Sequence, residues 1–359
     1  MSIIKMKKMT VQCPEVIERI KDIKGVYTQK GVENTVFFVA KLQKQLTDLL
    51  DKENCQYTIT DIEEVDHPTV MLNNCQFIRP FGSLLTNHAL PLYGDLDPTG
   101  FYAICFCILF GVMFGDIGQG FILILIGLIF RKKDNFAVFS RVGIFSMIFG
   151  WLYGSIFGNE EIIGEWMQEH RLAYWRFGLL ERKNTEILLL VVAAIGIAMI
   201  MAAVVINIID KAHHHKQKEI LTANNCLPAL MFYMMLLLLS GQVLGKAKGK
   251  FTLVLAFLLA LANAALLLKQ GKWKYLTGSI IKYFSAIMAF LQVGCFALAH
   301  AFLMYIVYYI AGLIPDISVI IIIAGNAIVM AIEATEVWHQ CSHLILSTLH
   351  GFITDKEEH

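Results

Sequence analysis

The sequence predicts an all-α, polytopic membrane bundle of about eight transmembrane helices, preceded by a small N-terminal α+β domain. Three observations carry that expectation. The 359-residue chain is 57% hydrophobic and only 16% charged, and its mean hydropathy of +0.60 is too apolar for an ordinary soluble domain. From residue 99 onward, apolar runs of near-membrane length follow one another, and a helix needs about 20 apolar residues to cross the hydrocarbon layer. Residues 1–98 are polar and mixed, which divides the chain into a 1–98 cytoplasmic domain and a 99–359 transmembrane domain.

Within 1–98 the patterning alternates between strand and helix. Residues 3–11 alternate as a strand, and PEVIERIKDI follows with proline at a helix start and apolar residues at helical spacing. Residues 34–40 read as a second strand, KLQKQLTDLLDKEN as an amphipathic helix, and 55–65 as a third strand. The order β-α-β-α-β fits a two-layer, ferredoxin-like sheet. MSIIKMKKMT has no apolar core of a signal peptide, so no cleavable leader and a cytoplasmic N-terminus are expected.

The expected spans are 99–115, 118–131, 138–158, 185–209, 226–246, 251–269, 278–313 and 316–350. The last two exceed a bilayer crossing and should tilt or project beyond it. With the N-terminus inside, Arg131, Lys132, Lys133, Arg141, Lys211, Lys216, Lys218, Lys269, Lys272 and Lys274 fall in inside loops. The 159–184 loop is mixed in charge, and the Lys-rich 246–250 loop runs against the trend. The positive-inside rule favours a multi-pass protein with both termini cytoplasmic.

Several function classes recede. A net charge of +1 gives no basis for a nucleic-acid partner. The eight cysteines are scattered, several of them in apolar runs (Cys105, Cys107, Cys295, Cys341), and read as small apolar fillers. His213, His214 and His215 sit in a basic loop and read as a solvated segment beside lipid. No cofactor is implied, and no phosphate-binding loop is present, so any ATP hydrolysis must occur on a partner.

Ionisable groups deep in apolar spans are costly and mark functional positions. The last span holds Glu333, Glu336, His339, Gln340 and His343 at three- and four-residue steps, with Asn326 higher up. Such steps place groups on one helix face, and a row of acids and imidazoles reads as the wall of a hydrated ion path. The preceding span adds Gln292 and His300, while Lys282 near its end can snorkel. Two other readings stay open. The groups can simply hydrogen-bond between helices, or Glu336, His339 and His343 can ligate a metal. Gly111-xxx-Gly115 and Gly150-xxx-Gly154-xxx-Gly158 mark close helix packing.

Residues 67–120 resemble the signature of subunit a/I of the V/A-type rotary ATPases. The shared residues are Pro68-Thr69, Asn73, Phe77, Pro80-Phe81, Tyr93, Asp95, Asp97-Pro98-Thr99 and the loop motif Gly115-Asp116-x-Gly118-x-Gly120. FGWLYGSIFGNEE is similar to another run of that family, ALAHA at 297–301 to a motif of its penultimate span, and Glu333 to a glutamate of its last span. The resemblance implies a membrane stator subunit that forms a proton or sodium path with a c-type ring of helical hairpins. Central-stalk subunits and one peripheral stalk are the further partners it implies, beside the lipid bilayer.

Three departures qualify that implication. Family members carry a cytoplasmic part several times larger, and residues 1–98 look like its membrane-proximal lobe without the coiled-coil arm. Gln292 stands where the family has its essential arginine, and His343 where it has a second one. A unit charge pair at about 4 Å is worth about 4 kcal/mol at an effective dielectric near 20, or about three pKa units on a facing carboxylate. Gln292 cannot supply this, and His343 can do so only when protonated. The alternative expectation is therefore a degenerate paralogue that binds a ring or has a structural role but does not pump.

Overall fold

The structure, a computed structural model, describes residues 6–11, 17, 20, 26–28, 35–39, 42–53, 55–60, 75–86, 97–132, 134–160, 163, 166, 169, 179, 182–213, 217–223, 225–243, 250–268 and 273–352. Clustering of contacts divides the chain into two compact units, Met1–Gly100 and Phe101–His359. Of the expected features, residues 61–74 and 87–96, most of PEVIERIKDI and most of the 159–184 loop lie outside the described residues.

The first unit contains a four-stranded sheet rather than the three strands expected. Its strands are β1 (Met6–Val11), β2 (Val26–Thr28), β3 (Thr35–Val39) and β4 (Tyr57–Thr60), in spatial order β2-β3-β1-β4. The additional strand is β2, too short to stand out by alternation. All three pairings are antiparallel, with Met9 opposite Val36 on one side and Ile59 on the other. Alternation sorts the faces: Met9 and Val11 are buried while Thr10 is exposed. Ile17 and Ile20 are helical and buried, and α1 (Gln43–Lys52) adds Leu46 and Leu50, one turn apart. These residues close an apolar core with Val36 and Phe38. Cys55 at its edge is disulfide-bonded, which corrects its reading as a mere filler.

Helix α2 (Arg79–Thr86) follows, and α3 (Thr99–Met113) runs on into the second unit. The Asp97 carboxylate accepts both the Thr99 amide at 2.9 Å and its hydroxyl at 2.5 Å, which secures the start of α3. The second unit continues with α4 (Ile117–Ile129), α5 (Asp134–Tyr153), α6 (Arg182–His213), α7 (Gln217–Thr222), α8 (Leu227–Val243), α9 (Lys250–Leu268), α10 (Trp273–Leu313) and α11 (Ser318–Phe352). Among the described residues, four segments are long and apolar enough to cross a membrane: Phe136–Tyr153, Asn184–His213, Thr277–Leu313 and Pro315–His350. Shorter apolar helical segments, Thr99–Met113, Ile117–Ile129, Leu227–Leu239 and Thr252–Leu266, occupy the other four expected positions. The 41 residues of α10 and 35 of α11 extend for about 60 and 52 Å at 1.5 Å per residue, against about 30 Å of hydrocarbon.

Small residues set the closest approaches. The backbones of α4 and α5 touch where Gly120 faces Gly143, and a Cβ at position 143 would lie 2.6 Å from the Gly120 oxygen. Gly196 of α6 lies against the Phe290 ring of α10 in the same way. Aromatic rings fill the wider gaps, with Trp338 of α11 against Phe106 of α3 at 5.1 Å and Phe139 of α5 at 5.2 Å. Polar ties also join the helices. The Asn263 amide donates to the Pro228 oxygen at 2.6 Å, and Lys282 donates to Asn225 at 2.6 Å instead of simply snorkelling.

A Gly143→Val substitution is expected to destabilise the unit by about 1–3 kcal/mol, because the backbone of α4 cannot retreat from it. Thermal unfolding followed by near-ultraviolet circular dichroism should show a lower midpoint. Gly278→Ala is the contrast: nothing lies within 4 Å of its Cβ, and helix propensity should leave the midpoint unchanged or slightly raised.

Candidate functional site

The site begins at the turn between α3 and α4. Asp116 is extended at the N-cap of α4, and its Oδ1 accepts the Gln119 amide at 2.8 Å. The same oxygen accepts the Phe157 amide at 2.9 Å, while Oδ2 accepts the Gly158 amide at 2.7 Å and the Ser155 hydroxyl at 2.6 Å. Asp116 is fully buried, so four donors replace the water that a carboxylate would otherwise require. The loop it grips turns through left-handed backbone at Gly154, Phe157 and Gly158, with φ of 76°, 51° and 77°. Gly158 has no room for a side chain either, since a Cβ would meet Met304 of α10 at 2.5 Å.

The other motif glycines admit neighbours. Gly115 accommodates the Tyr153 ring, Gly118 the Phe157 ring and Gly120 the backbone of Gly143. Thus Gly115, Asp116, Gly118 and Gly120 bind this protein's own chain. The sequence reading took Gly154 and Gly158 for helix packing and did not single out Ser155, although the run Gly-Ser-x-x-Gly after an apolar helix marks a turn.

From this junction polar contacts lead to the last two helices. Gln119 is fully buried and donates from Nε2 to Asn326 Oδ1 of α11 at 3.1 Å, with Met304 Sδ at 3.6 Å. Asn326 in turn donates to the Ile322 oxygen at 3.0 Å. Seven residues further along α11, Glu333 Oε2 pairs directly with His300 Nδ1 of α10, and both side chains are buried. Seven residues beyond, Gln340 donates to Gln292 Oε1 at 2.7 Å. Stepping eight residues along α10 and seven along α11 keeps the antiparallel helices in register, so the Glu333–His300 and Gln340–Gln292 pairs are two rungs of a ladder along their interface, with the Gln119–Asn326 contact from α4 seven residues before the first.

The predicted stripe therefore divides. Glu333, Gln340 and Asn326 face α10 or α4, whereas Glu336, His339 and His343 are exposed. A 100° step per residue explains this: 326, 333 and 340 follow one another at about 20° offsets, while 336, 339 and 343 lie about 60°, 120° and 80° around the helix from 333. Glu336, His339 and His343 are not gathered as a metal site, and no group of three His, Cys, Asp or Glu residues is so gathered among the described residues. N-terminal to the exposed polar groups, α11 leaves Val319, Ile320, Ile323, Ile328 and Ile332 exposed. The sequence reading missed Gln119 and Tyr308; the Tyr308 hydroxyl donates to the Phe157 oxygen at 3.1 Å and joins the gripped loop to α10.

Comparison with known proteins bears on the same region. Residues 28–157 match the family model described as V-type ATPase 116kDa subunit family. The chain is 32% identical over 161 residues to an A-type ATP synthase subunit I of Archaeoglobus fulgidus, covering 39% of this chain and 24% of that one. It is 34% identical over 107 residues to a V-type ATP synthase subunit I 2 of Treponema pallidum, covering 27% and 24%. An A-type ATP synthase subunit I of Methanocaldococcus jannaschii is 26% identical over 151 residues, covering 37% and 22%. The chain thus spans about a quarter of the length of the curated relatives it matches.

Replacing Asp116 by Ala leaves three amides and a hydroxyl buried without an acceptor. The expected loss is about 3–5 kcal/mol, read as failure to reach the membrane fold or a sharply lower unfolding midpoint. Asp116→Asn should fall between, since its amide hydrogens would face donors where oxygen now accepts.

Proposed function

Because the chain belongs, through residues 28–157, to the V-type ATPase 116kDa subunit family, we propose that it is the membrane stator subunit of a V/A-type rotary complex. It forms a proton or sodium path with a c-type ring along the α10–α11 pair. The observation that carries this reading is the ladder itself: a buried carboxylate–imidazole pair, Glu333–His300, lies in the interface of two apolar helices. A buried carboxylate and imidazole are costly in such surroundings and are retained where charge must move. Glu336, His339 and His343 beside it are the exposed groups that meet the ring. The exposed isoleucines and valine of α11 supply apolar area for the ring's hairpins.

Several finer features belong to the same proposal. All eight apolar helices cross the membrane, the shorter four beside longer partners, with both termini cytoplasmic. The strand order β2-β3-β1-β4 supports a ferredoxin-like first unit, which holds central-stalk subunits or one peripheral stalk. Catalysis of ATP hydrolysis belongs to other subunits.

A second reading has its own observation. Gln292 and Gln340 bond to each other and present neither charge nor a free arginine-like donor fork. A chain with that neutral contact can seat a ring without forcing a carboxylate to release its ion.

Flux separates the readings. Proteoliposomes holding the chain with its ring should show proton or sodium flux above ring-free vesicles, and Glu333→Gln should lower it by roughly tenfold or more, the scale of a 1.4 kcal/mol barrier change. Flux at background with the ring bound would reject ion conduction and leave the structural role. Gln292→Arg then reports whether the missing cation alone is responsible, by a gain of flux.

A further inference from the structure

Two polar atoms in the second unit are buried without a hydrogen-bond partner among the described residues: His300 Nε2 and Gln119 Oε1. His300 is 3% exposed and Gln119 0%. Both belong to the inner face of the same junction. Gln119 Nε2 reaches Met304, which stands one turn beyond His300 on α10. The His300 ring also lies 5.3 Å from that of Phe114, two residues before the N-cap of α4. An unmet polar atom so deeply buried is costly, so two at this one junction call for a common partner.

The chemistry narrows what that partner is. When Nδ1–H donates to Glu333, neutral His300 offers Nε2 as an acceptor. Gln119 Oε1 is an acceptor in every state, its own amide nitrogen being engaged by Asn326. Two acceptors cannot bond to each other. They need a small species with two donor hydrogens, which is water. If the ring is protonated instead, Nε2–H donates to the same water, whose hydrogen still reaches Gln119. Asp116 is excluded from this site, since all four of its contacts are already made within the loop and helix cap.

We propose a buried water-binding site between α4, α10 and α11, in which water bridges His300 Nε2 and Gln119 Oε1. It joins the Glu333–His300 pair to the Gln119–Asn326 pair in one hydrogen-bonded chain. The existence of the site rests on the two orphaned atoms; its meaning for an ion path rests on the function proposed above. If that function holds, the carboxylate of Glu333 is hydrated from the α4 side, through the interior of the unit, rather than along the exposed face of α11.

The test uses the full-length chain in lipid bilayers, with nitrogen-15 in histidine and glutamine, and water-edited solid-state NMR. Magnetisation from water should reach the His300 ring and the Gln119 side-chain amide on the timescale seen for the exposed His339 ring. Failure to reach either residue, with His339 responding normally, would overturn the site. Gln119→Leu removes the second partner, and the water signal at His300 should disappear while the Trp338 near-ultraviolet signal persists. Full persistence of the His300 signal in a folded Gln119→Leu chain would equally overturn the bridge. Should that variant not fold, the wild-type measurement decides alone. No ring and no flux enter these readouts, so they stand or fall separately from the transport assay.

Discussion

One carboxylate holds the membrane unit in order. Asp116 terminates the turn after α3, caps α4, and draws in the loop that follows α5 through two amides and a hydroxyl. Because that loop also receives the Tyr308 hydroxyl and packs Gly158 on Met304, the grip on it reaches α10. Gln119, placed at the third position of the capped helix, reaches α11 by way of Asn326. An anion satisfied only by protein donors has no lower-energy arrangement nearby, so the relative heights of α4, α5, α10 and α11 are set with little slack. The Glu333–His300 pair depends on that setting, since a slip of one residue along either helix would part them.

The surroundings of that junction follow a division of labour. Where helix backbones must come close, the chain places glycine, as at Gly120 against Gly143. Where they stand apart, it places rings, as with Trp338 between Phe106 and Phe139. Apolar contacts between helices gain little in lipid, whose tails are as apolar as the side chains, so fit and a few buried hydrogen bonds must supply specificity.

Much of this was legible in the residue pattern, for a physical reason in each case. Apolar length announced the long helices, and alternation announced β1, β3 and β4, because both are local signals. The short strand β2 was not legible, since three residues cannot display a period and its pairing with β3 is a tertiary fact. The Gly-Asp-x-Gly-x-Gly motif was visible as close packing, but the partners of Asp116 lie about forty residues away and no local rule joins them. The stripe on α11 was visible as a cluster and misjudged as one face. Three- and four-residue steps drift around a helix, and only the seven-residue spacing of Asn326, Glu333 and Gln340 stays in line.

The second rung of that ladder, Gln292 with Gln340, consists of two carboxamides. A monovalent side chain inside a bilayer couples to the electric potential across it by about 2.3 kcal/mol for each 100 mV it traverses. Carboxamides carry only dipoles, so the potential does almost no work on this crossing. Energising the membrane would leave the clasp between α10 and α11 undisturbed, while any voltage response of the pair would originate at the other rung, at the carboxylate and imidazole.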